Sequence, residues 1–287
     1  MRISNLPACQ SVPESKPFGR GGPLVSRIGQ GTWPVPDPAA LRRGIELGLT
    51  HIDTAEMYGA GRSEEAVAEA IRGIARESLF IVSKVLPQNA HAKGVALACE
   101  RSLRRLKLEY LDCYLLHWRG TVPLSETMGA LERLVDDGKI RSLGVSNLDP
   151  WDLREAAGSL HGHRLACDQV LYNLDERTPE DHELPWARDY GCAIVAYTPL
   201  GQPVLDPRDK KFAVLAEIAR AHDVTPHAVA LSFLTRDPLV FAIPKAARLE
   251  HVEANAAALR VELSADEIAA INAEHPNRER TGPLPTN

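Results

Sequence analysis

The sequence predicts a single α/β domain, residues 1–287, folded as a (β/α)8 TIM barrel. Short apolar runs and amphipathic segments alternate eight times along the 287 residues. The apolar runs contain few polar positions, which is typical of parallel strands buried on both faces. The chain length is also close to the ~250 residues usual for this barrel. The alternation therefore favours a parallel sheet closed into a barrel over an open sheet.

The predicted elements follow from hydrophobic periodicity and from helix start and stop signals. The eight predicted strands are residues 26–32, 51–53, 79–85, 111–118, 142–145, 166–171, 193–197 and 240–244. Apolar residues recur three or four apart in residues 62–75, 93–106, 124–137, 184–190 and 212–222, which predicts helices there. Helix starts are indicated at Ser63, Asp149-Pro150 and Thr225-Pro226, and helix ends at Gly138 and Gly191. The polar tail, residues 278–287, is expected to be extended.

Composition and charge exclude several classes of protein. Lys and Arg number 33 against 38 Asp and Glu, a formal charge of -5 with no long run of one sign. A nucleic-acid partner or an anionic membrane surface would require a basic patch, so neither partner is expected. No segment approaches the ~20 apolar residues of a membrane span. We expect a soluble, cytoplasmic protein.

Cysteine usage argues against a metal site or a disulfide framework. The five cysteines are scattered and include no Cys-x-x-Cys pair: Cys9, Cys99, Cys113, Cys167 and Cys192. Three of them lie in apolar runs, as buried free thiols do. A reducing compartment is the simpler interpretation.

Four polar residues follow apolar runs at the points where strands are predicted to end: Asp53, Tyr58, Lys84 and His117. If they are buried together, the carboxylate would hold the lysine charged, and the ammonium would lower the pKa of the phenol. The imidazole could orient a substrate oxygen. This set suits proton transfer to or from an oxygen, although each residue alone also has a structural interpretation.

A doubly wound dinucleotide-binding fold would show Gly-x-Gly-x-x-Gly after its first strand. The only glycine cluster, Gly19 to Gly22, precedes the first strand and is followed by Pro23 rather than by a helix. A nicotinamide cofactor would therefore have to bind at the mouth of the barrel.

Six motifs in order give the chain its resemblance to a known family. They are His51-Ile-Asp-Thr-Ala-Glu-Met-Tyr-Gly59 followed by Lys84, Tyr114-Leu-Leu-His-Trp118, Gly138-Lys-Ile-Arg-Ser-Leu-Gly-Val-Ser-Asn147, Cys167-Asp-Gln-Val-Leu-Tyr172, Ala196-Tyr-Thr-Pro-Leu-Gly201 and Ala242-Ile-Pro-Lys245. Over nearly its whole length the chain resembles the aldo-keto reductases, of the bacterial diketogulonate and methylglyoxal reductase type. The resemblance also implies that residues 1–25 form a hairpin that caps the bottom of the barrel.

The resemblance implies an NADPH-dependent oxidoreductase that reduces aldehydes and ketones, and in reverse acts on the CH-OH group. Tyr58 would be the general acid, Lys84 and Asp53 its ion pair, and His117 the residue that orients the carbonyl. The implied cofactor contacts are Gly31, Thr32, Asp53, Ser146, Asn147, Gln169, Tyr197, Thr198, Leu200, Lys245, Arg248 and Asn255. The implied substrate contacts are Trp33, Tyr58, His117 and Trp118. No metal is implied, and a monomer is expected.

The adenosine end departs from the family pattern. Ala246, His251 and Ala254 stand where the family commonly has a serine, an arginine and a glutamate. A 2'-phosphate needs cations and donors, which leaves Lys245, with Arg248 partly compensating. NADPH is favoured, and NADH is possible.

The substrate end is expected to be open, because the loop after Trp118 is short. It should take small or varied carbonyl compounds. Arg119 in that loop is interpreted as a solvated charge, with attraction of carboxylated substrates as the alternative. Two other functions remain: a nicotinamide-nucleotide-binding sensor or accessory subunit with negligible turnover, and an isomerase with Lys84 as a Schiff base. The Tyr58 motif argues against the isomerase.

Overall fold

The computed structural model describes residues 14–202, 208–278, 280, 282 and 284–286, and shows a barrel of eight parallel strands. A hairpin comes first, with β1 at Ser15–Pro17 and β2 at Leu24–Ser26. The barrel strands are β3 Gln30–Gly31, β4 His51–Asp53, β5 Phe80–Val85, β6 Leu111–Leu116, β7 Ile140–Ser146, β8 Leu165–Leu171, β9 Ala193–Tyr197 and β10 Val240–Ala242. All eight predicted strands are thus present.

The sheet runs in sequence order from β3 to β10 and closes between its first and last members. Ile28 forms a parallel bridge with Ala242. The Gly29 N–H donates to the Ala242 carbonyl at 2.7 Å, and the Ala242 N–H donates to the Arg27 carbonyl at 3.0 Å. These contacts join the two edges, so the predicted (β/α)8 barrel is confirmed. β3 itself is shorter than predicted, because only Gln30–Gly31 pairs regularly with β4.

Ten helices surround the barrel in the described ranges: α1 Pro38–Glu46, α2 Arg62–Ala70, α3 Ala92–Leu106, α4 Leu124–Asp136, α5 Pro150–Gly158, α6 Glu183–Tyr190, α7 Lys210–Ala221, α8 Pro226–Leu234, α9 Leu249–Ala257 and α10 Ala265–Glu274. Asp149 and Thr225 cap α5 and α8 as predicted, each followed by a proline. The predicted cap at Ser63 is wrong. Gly61 precedes α2, and the Ser63 hydroxyl donates instead to the Thr32 carbonyl at 2.9 Å.

The N-terminal hairpin closes the bottom of the barrel, as the resemblance implies for residues 1–25; residues 1–13 lie outside the described part. Phe18, between β1 and β2, packs against Phe80 and Phe241, with ring centroids 4.7 and 5.0 Å apart. The Lys16 ammonium donates to three carbonyls near the start of β10, those of Thr235, Asp237 and Val240. The bottom is therefore filled by structural contacts, which leaves the opposite mouth open for a site.

The register places three of the predicted site residues at the open mouth. Asp53 ends β4, Lys84 lies one residue before the end of β5, and His117 directly follows β6. Because the three strands are adjacent and parallel, their carboxyl ends meet at one edge. Within the described residues, no helix is both long and apolar enough to cross a membrane.

Candidate active site

The centre of the site is a buried lysine that bonds to both an acid and a phenol. The Lys84 ammonium donates to Asp53 Oδ1 at 2.5 Å, to the Thr54 carbonyl at 2.9 Å and to the Tyr58 hydroxyl at 3.2 Å. The Lys84 side chain is fully buried and that of Asp53 is 1% exposed. A buried ammonium is stable only with compensating partners, and the three acceptors meet that requirement.

Tyr58 is held between two aromatic neighbours at the start of a short 3-10 turn. Its ring lies 5.4 Å from that of Trp33 and 5.6 Å from that of His117. The turn continues through Gly59, whose φ is 58° and whose added Cβ would lie 2.4 Å from Val35 Cγ2. A side chain at that position would both clash and strain the backbone. Gly59 therefore permits the close turn that carries the phenol into the site.

The pKa of Tyr58 corrects one expectation. Burial is the largest influence and raises the pKa of the phenol; Lys84 lowers it as expected, while Asp53 raises it. The net direction is upward, because burial outweighs the lowering that Lys84 produces, so the pKa of the phenol is not below its ordinary value. For Lys84, burial alone would lower the pKa, but Asp53 and Tyr58 outweigh it and the net direction is upward. The site thus holds a charged lysine beside a protonated phenol.

His117 is a neutral imidazole near the phenol. Burial, followed by the charge of Lys84, lowers the pKa of His117 to about 3. Its Nδ1 is buried without a hydrogen-bond partner, and its ring lies 4.7 Å from that of Trp118. A neutral imidazole can donate a hydrogen bond from its N–H to a substrate oxygen without adding charge. The arrangement suits an orienting role rather than acid catalysis by imidazolium.

Amide and hydroxyl groups from β7, β8 and β9 form a second polar cluster. Gln169 Nε2 donates to Asp53 Oδ2 at 2.7 Å, which connects this cluster to the buried lysine. The Tyr197 hydroxyl donates to Asn147 Oδ1 at 2.8 Å, and Asn147 Nδ2 donates to the Ser146 hydroxyl at 3.1 Å. Asn147 has a φ of 59° and bonds through its N–H to the Gln169 carbonyl. These hydrogen bonds fix the orientation of the amide and hydroxyl groups of this cluster.

Asp53 and Tyr58, together with the second polar cluster, border one cavity of about 860 Å³ at the carboxyl ends of the strands. This volume is within the range usual for small-molecule and cofactor sites. Fourteen of the predicted site residues line it: Gly31, Thr32, Trp33, Asp53, Tyr58, His117, Trp118, Ser146, Asn147, Gln169, Tyr197, Thr198, Leu200 and Lys245. Lys84 does not line the cavity, but its ammonium contacts the hydroxyl of Tyr58, which does. The buried Thr32 hydroxyl has no hydrogen-bond partner.

The structure does not place Arg248 or Asn255 on this cavity. Arg248 is exposed at the start of α9, 3.1 Å from the Glu250 carboxylate and 2.7 Å from His251 Nε2. Asn255 is buried within α9. Gly31 lines the cavity, but an added Cβ would lie 2.7 Å from the Ile243 carbonyl oxygen. The close approach of β3 to β10 accounts for that glycine without a ligand.

Sequence reasoning missed several lining residues. They are Pro34, Met57, Pro199, Gly201, Gln202, Ile243, Pro244 and Thr286. Most of them are neighbours in sequence of a motif residue, and this adjacency could have identified them. Thr286 is far from every motif in the sequence, so no pattern indicated it. Arg119 also lines the cavity, and it is exposed, in agreement with its interpretation as a solvated loop charge. Its guanidinium bonds to both Asp152 and Glu155.

Metal and disulfide chemistry find no support in the described part of the chain. No group of three or more His, Cys, Asp or Glu side chains is arranged to hold a metal there. Cys99, Cys113, Cys167 and Cys192 are buried free thiols; Cys9 lies outside the described residues.

The fold and site define a class: a (β/α)8 barrel with a Tyr-Lys-Asp-His set at its mouth. Residues 27–274 match the model of the Aldo/keto reductase family. The chain is 47% identical to a methylglyoxal reductase of Escherichia coli over 89% of this chain and 93% of that protein. It is 34% identical to a glyoxal reductase of Bacillus subtilis over 86% of each. The chain belongs to the aldo/keto reductase family of oxidoreductases.

A solved structure agrees with this assignment. An aldo-keto reductase from Klebsiella pneumoniae in complex with NADPH superimposes with a TM-score of 0.88 at 42% identity. The match covers 96% of this chain and all of that one. The similarity therefore extends across the barrel and its mouth.

Proposed function

We propose that the protein reduces aldehyde and ketone carbonyls with NADPH, with Tyr58 as the general acid. One observation carries the proposal: the Lys84 ammonium contacts both Asp53 and the Tyr58 hydroxyl beside the cavity. The relatives support the cofactor and the substrate class. A similar reductase was crystallised with NADPH, and two relatives are named for α-dicarbonyl substrates.

The residues at the mouth suit a nicotinamide nucleotide. Ser146, Asn147 and Gln169 present amide and hydroxyl groups suited to a carboxamide, and the Tyr197 ring offers an aromatic face. The unpartnered Thr32 hydroxyl is a further polar group that a ligand would satisfy. Lys245, across the mouth, is a cation for a phosphate. This donor set supports the proposed cofactor contacts, with Arg248 and Asn255 reserved for the adenosine end beyond the cavity.

The protein residues handle the proton and the orientation of the substrate. NADPH, when bound, would supply the hydride that the carbonyl carbon accepts. Tyr58 is kept protonated by its raised pKa, so it is available to donate its proton to the carbonyl oxygen. Lys84 stabilises the phenolate that remains, and Asp53 holds Lys84 charged. His117, as a neutral imidazole, orients the carbonyl oxygen toward Tyr58.

The test is steady-state oxidation of NADPH and of NADH with α-dicarbonyls, reactive aldehydes and keto acids, for the wild type and Tyr58→Phe. We expect turnover with NADPH that falls about 10²- to 10⁴-fold in the variant, the usual contribution of a positioned general acid. Full activity in Tyr58→Phe would remove the phenol from the mechanism. A wild-type protein that binds NADPH without turnover would favour the sensor function.

The predicted single domain, monomeric state and cytoplasmic location remain part of this proposal. Light scattering of the active enzyme would measure its mass; a dimer that loses activity on dilution would contradict the monomer.

A further inference from the structure

Arg119 stands on the cavity wall in the loop that follows His117 and Trp118. Its Nη1 donates to Asp152 Oδ1 and, at 2.8 Å, to Glu155 Oε2; its Nη2 donates to Glu155 Oε1 at 3.3 Å. Glu155 therefore occupies the end-on pair of guanidinium donors, the geometry that a substrate carboxylate would also use. Both acids lie on α5, in its first two turns.

The charge balance of this cluster, Arg119 with Asp152 and Glu155, is negative. One guanidinium and two carboxylates leave a formal charge of -1 at the substrate end. Among the described residues that line the cavity, the other charged side chains are Asp53 and Lys245. Asp53 is neutralised by Lys84. Lys245 follows β10, four strands from β6 and so across the mouth from Arg119.

A substrate with a carboxylate would therefore meet no free cation beside Trp118. It would have to approach two carboxylates and share a guanidinium that they already bind. An uncharged carbonyl compound meets only the aromatic side chains and the polar centre. The side chains of Arg119 and Glu155 are 39% and 40% exposed, so their field reaches a ligand in the open cavity and is sensitive to salt.

We propose that Asp152 and Glu155 determine the selectivity of the enzyme for substrate charge. By binding Arg119, they make the enzyme prefer uncharged carbonyl compounds to carboxylated ones. The inference rests on the proposed reductase function and specifies its substrate class. Asp152 and Glu155 are positioning residues, since they act through Arg119 and the local field rather than on the reacting atoms.

The experiment uses two aldehydes of nearly equal shape, 4-nitrobenzaldehyde and 4-carboxybenzaldehyde, with NADPH. We expect the wild type to show a clearly higher kcat/KM for the nitro compound. In the double variant Asp152→Asn/Glu155→Gln, the freed Arg119 should reduce that preference about tenfold or more, within the range of electrostatic effects on association. The kcat/KM for the nitro compound should stay within about twofold, which also reports that the variant is folded.

Two further measurements distinguish this role from a merely structural ion pair. Arg119→Gln should strengthen the preference for the nitro compound, because two uncompensated carboxylates remain. Raising the ionic strength from about 0.01 M to 1 M shortens the Debye length from about 30 Å to 3 Å, so it should weaken the wild-type preference. The control Asp189→Asn/Glu217→Gln changes the same charges at exposed positions on α6 and α7, away from the cavity, and should leave the preference unchanged.

The outcomes separate the two proposals. A wild type that turns over neither aldehyde, nor any compound of the wider panel, overturns the reductase function. Turnover of the nitro compound with a preference that is unchanged in Asp152→Asn/Glu155→Gln, or equally changed in the control, overturns the role of Asp152 and Glu155 while leaving the reductase intact. A wild type that prefers 4-carboxybenzaldehyde overturns it as well.

Discussion

Two lysines are buried at opposite ends of the barrel and differ in their partners. Lys84, at the mouth, bonds to the Asp53 carboxylate, and the pKa of its ammonium is raised. Lys16, at the bottom, is 2% exposed, and its acceptors are three backbone carbonyls at 2.7 to 2.9 Å. Burial, with a smaller effect of Arg27, lowers the pKa of Lys16 to about 7. The pKa values of these two buried lysines are therefore shifted in opposite directions.

The difference shows that a partner, rather than depth, decides what a buried lysine does. A full carboxylate charge offsets the desolvation of Lys84 and leaves it a permanent cation beside Tyr58. Carbonyl dipoles satisfy the donors of Lys16 but offset less of its desolvation. The mouth thus holds a paired cation beside Tyr58, and the bottom holds a lysine whose contacts join the hairpin to the end of the barrel.

The strongest test of this contrast is catalytic. Lys84→Met should reduce kcat/KM with NADPH and an α-dicarbonyl by about 10²-fold or more, because the phenolate of Tyr58 loses its stabilising charge. Lys16→Met should leave kcat/KM within about twofold. The measurement is steady-state turnover of both variants at equal folded fraction, checked by circular dichroism. Similar losses in both variants would mean that Lys84 contributes only structure.

Next in size is the loss of the acid. Asp53→Asn should destabilise the fold by about 3–5 kcal/mol, since it leaves Lys84 as a buried charge with one partner removed. Urea unfolding measures the difference. The double variant Asp53→Asn/Lys84→Met removes the orphaned charge and should recover part of the stability. A double variant less stable than Asp53→Asn alone would contradict that account.

Lys16→Met should cost less, about 1–3 kcal/mol, the desolvation cost of buried carbonyls that lose a donor. Methionine is one atom shorter than lysine but keeps an unbranched apolar side chain, so most of the packing beside Phe241 is retained. The same urea titration applies. A loss of stability larger than that caused by Asp53→Asn would contradict the expectation that the lysine at the mouth depends more strongly on its partner.

Per pH unit, the smallest expected effect is a pH dependence of the stability. In the folded state the pKa of Lys16 is about 7, below the ~10.4 of an unfolded lysine. Between these values the unfolded state binds more protons, so the stabilisation of the wild type relative to Lys16→Met should grow as pH rises. The growth is at most about 1.4 kcal/mol per pH unit, measured by unfolding both proteins at several pH values above 7. A constant difference would show that the carbonyls keep Lys16 charged throughout.

The strands and the site centre were predictable because their signals are local. Each strand is a short apolar run, and the polar residue at its end marks the mouth; this located Asp53, Lys84 and His117 without coordinates. The start of α1 also carries a local signal, the helix cap Asp37 followed by Pro38, although α1 was not among the predicted helices. Local chemistry is therefore enough for elements and for the residues that end them.

The electrostatics were less predictable because they depend on distant contacts and on burial. Arg119 and Asp152 are separated by 33 positions that include α4 and β7, and nothing in this intervening sequence indicates that α5 turns two acids toward that arginine. The pKa of Tyr58 depends on how fully the ring is buried, which a motif does not report. Arg248 was expected to compensate partly for His251 at the adenosine end, yet it lies at the start of α9, outside the cavity.

The hairpin at the bottom carries a consequence for how the chain is made. Lys16 bonds to carbonyls 219 to 224 positions later, and Arg27 bonds to carbonyls 231 to 234 positions later. During synthesis these two cations have no acceptors until the final βα unit has left the ribosome. Contacts of such long sequence separation form slowly. We therefore expect the hairpin to dock last, so that the first residues translated are among the last to acquire their native structure.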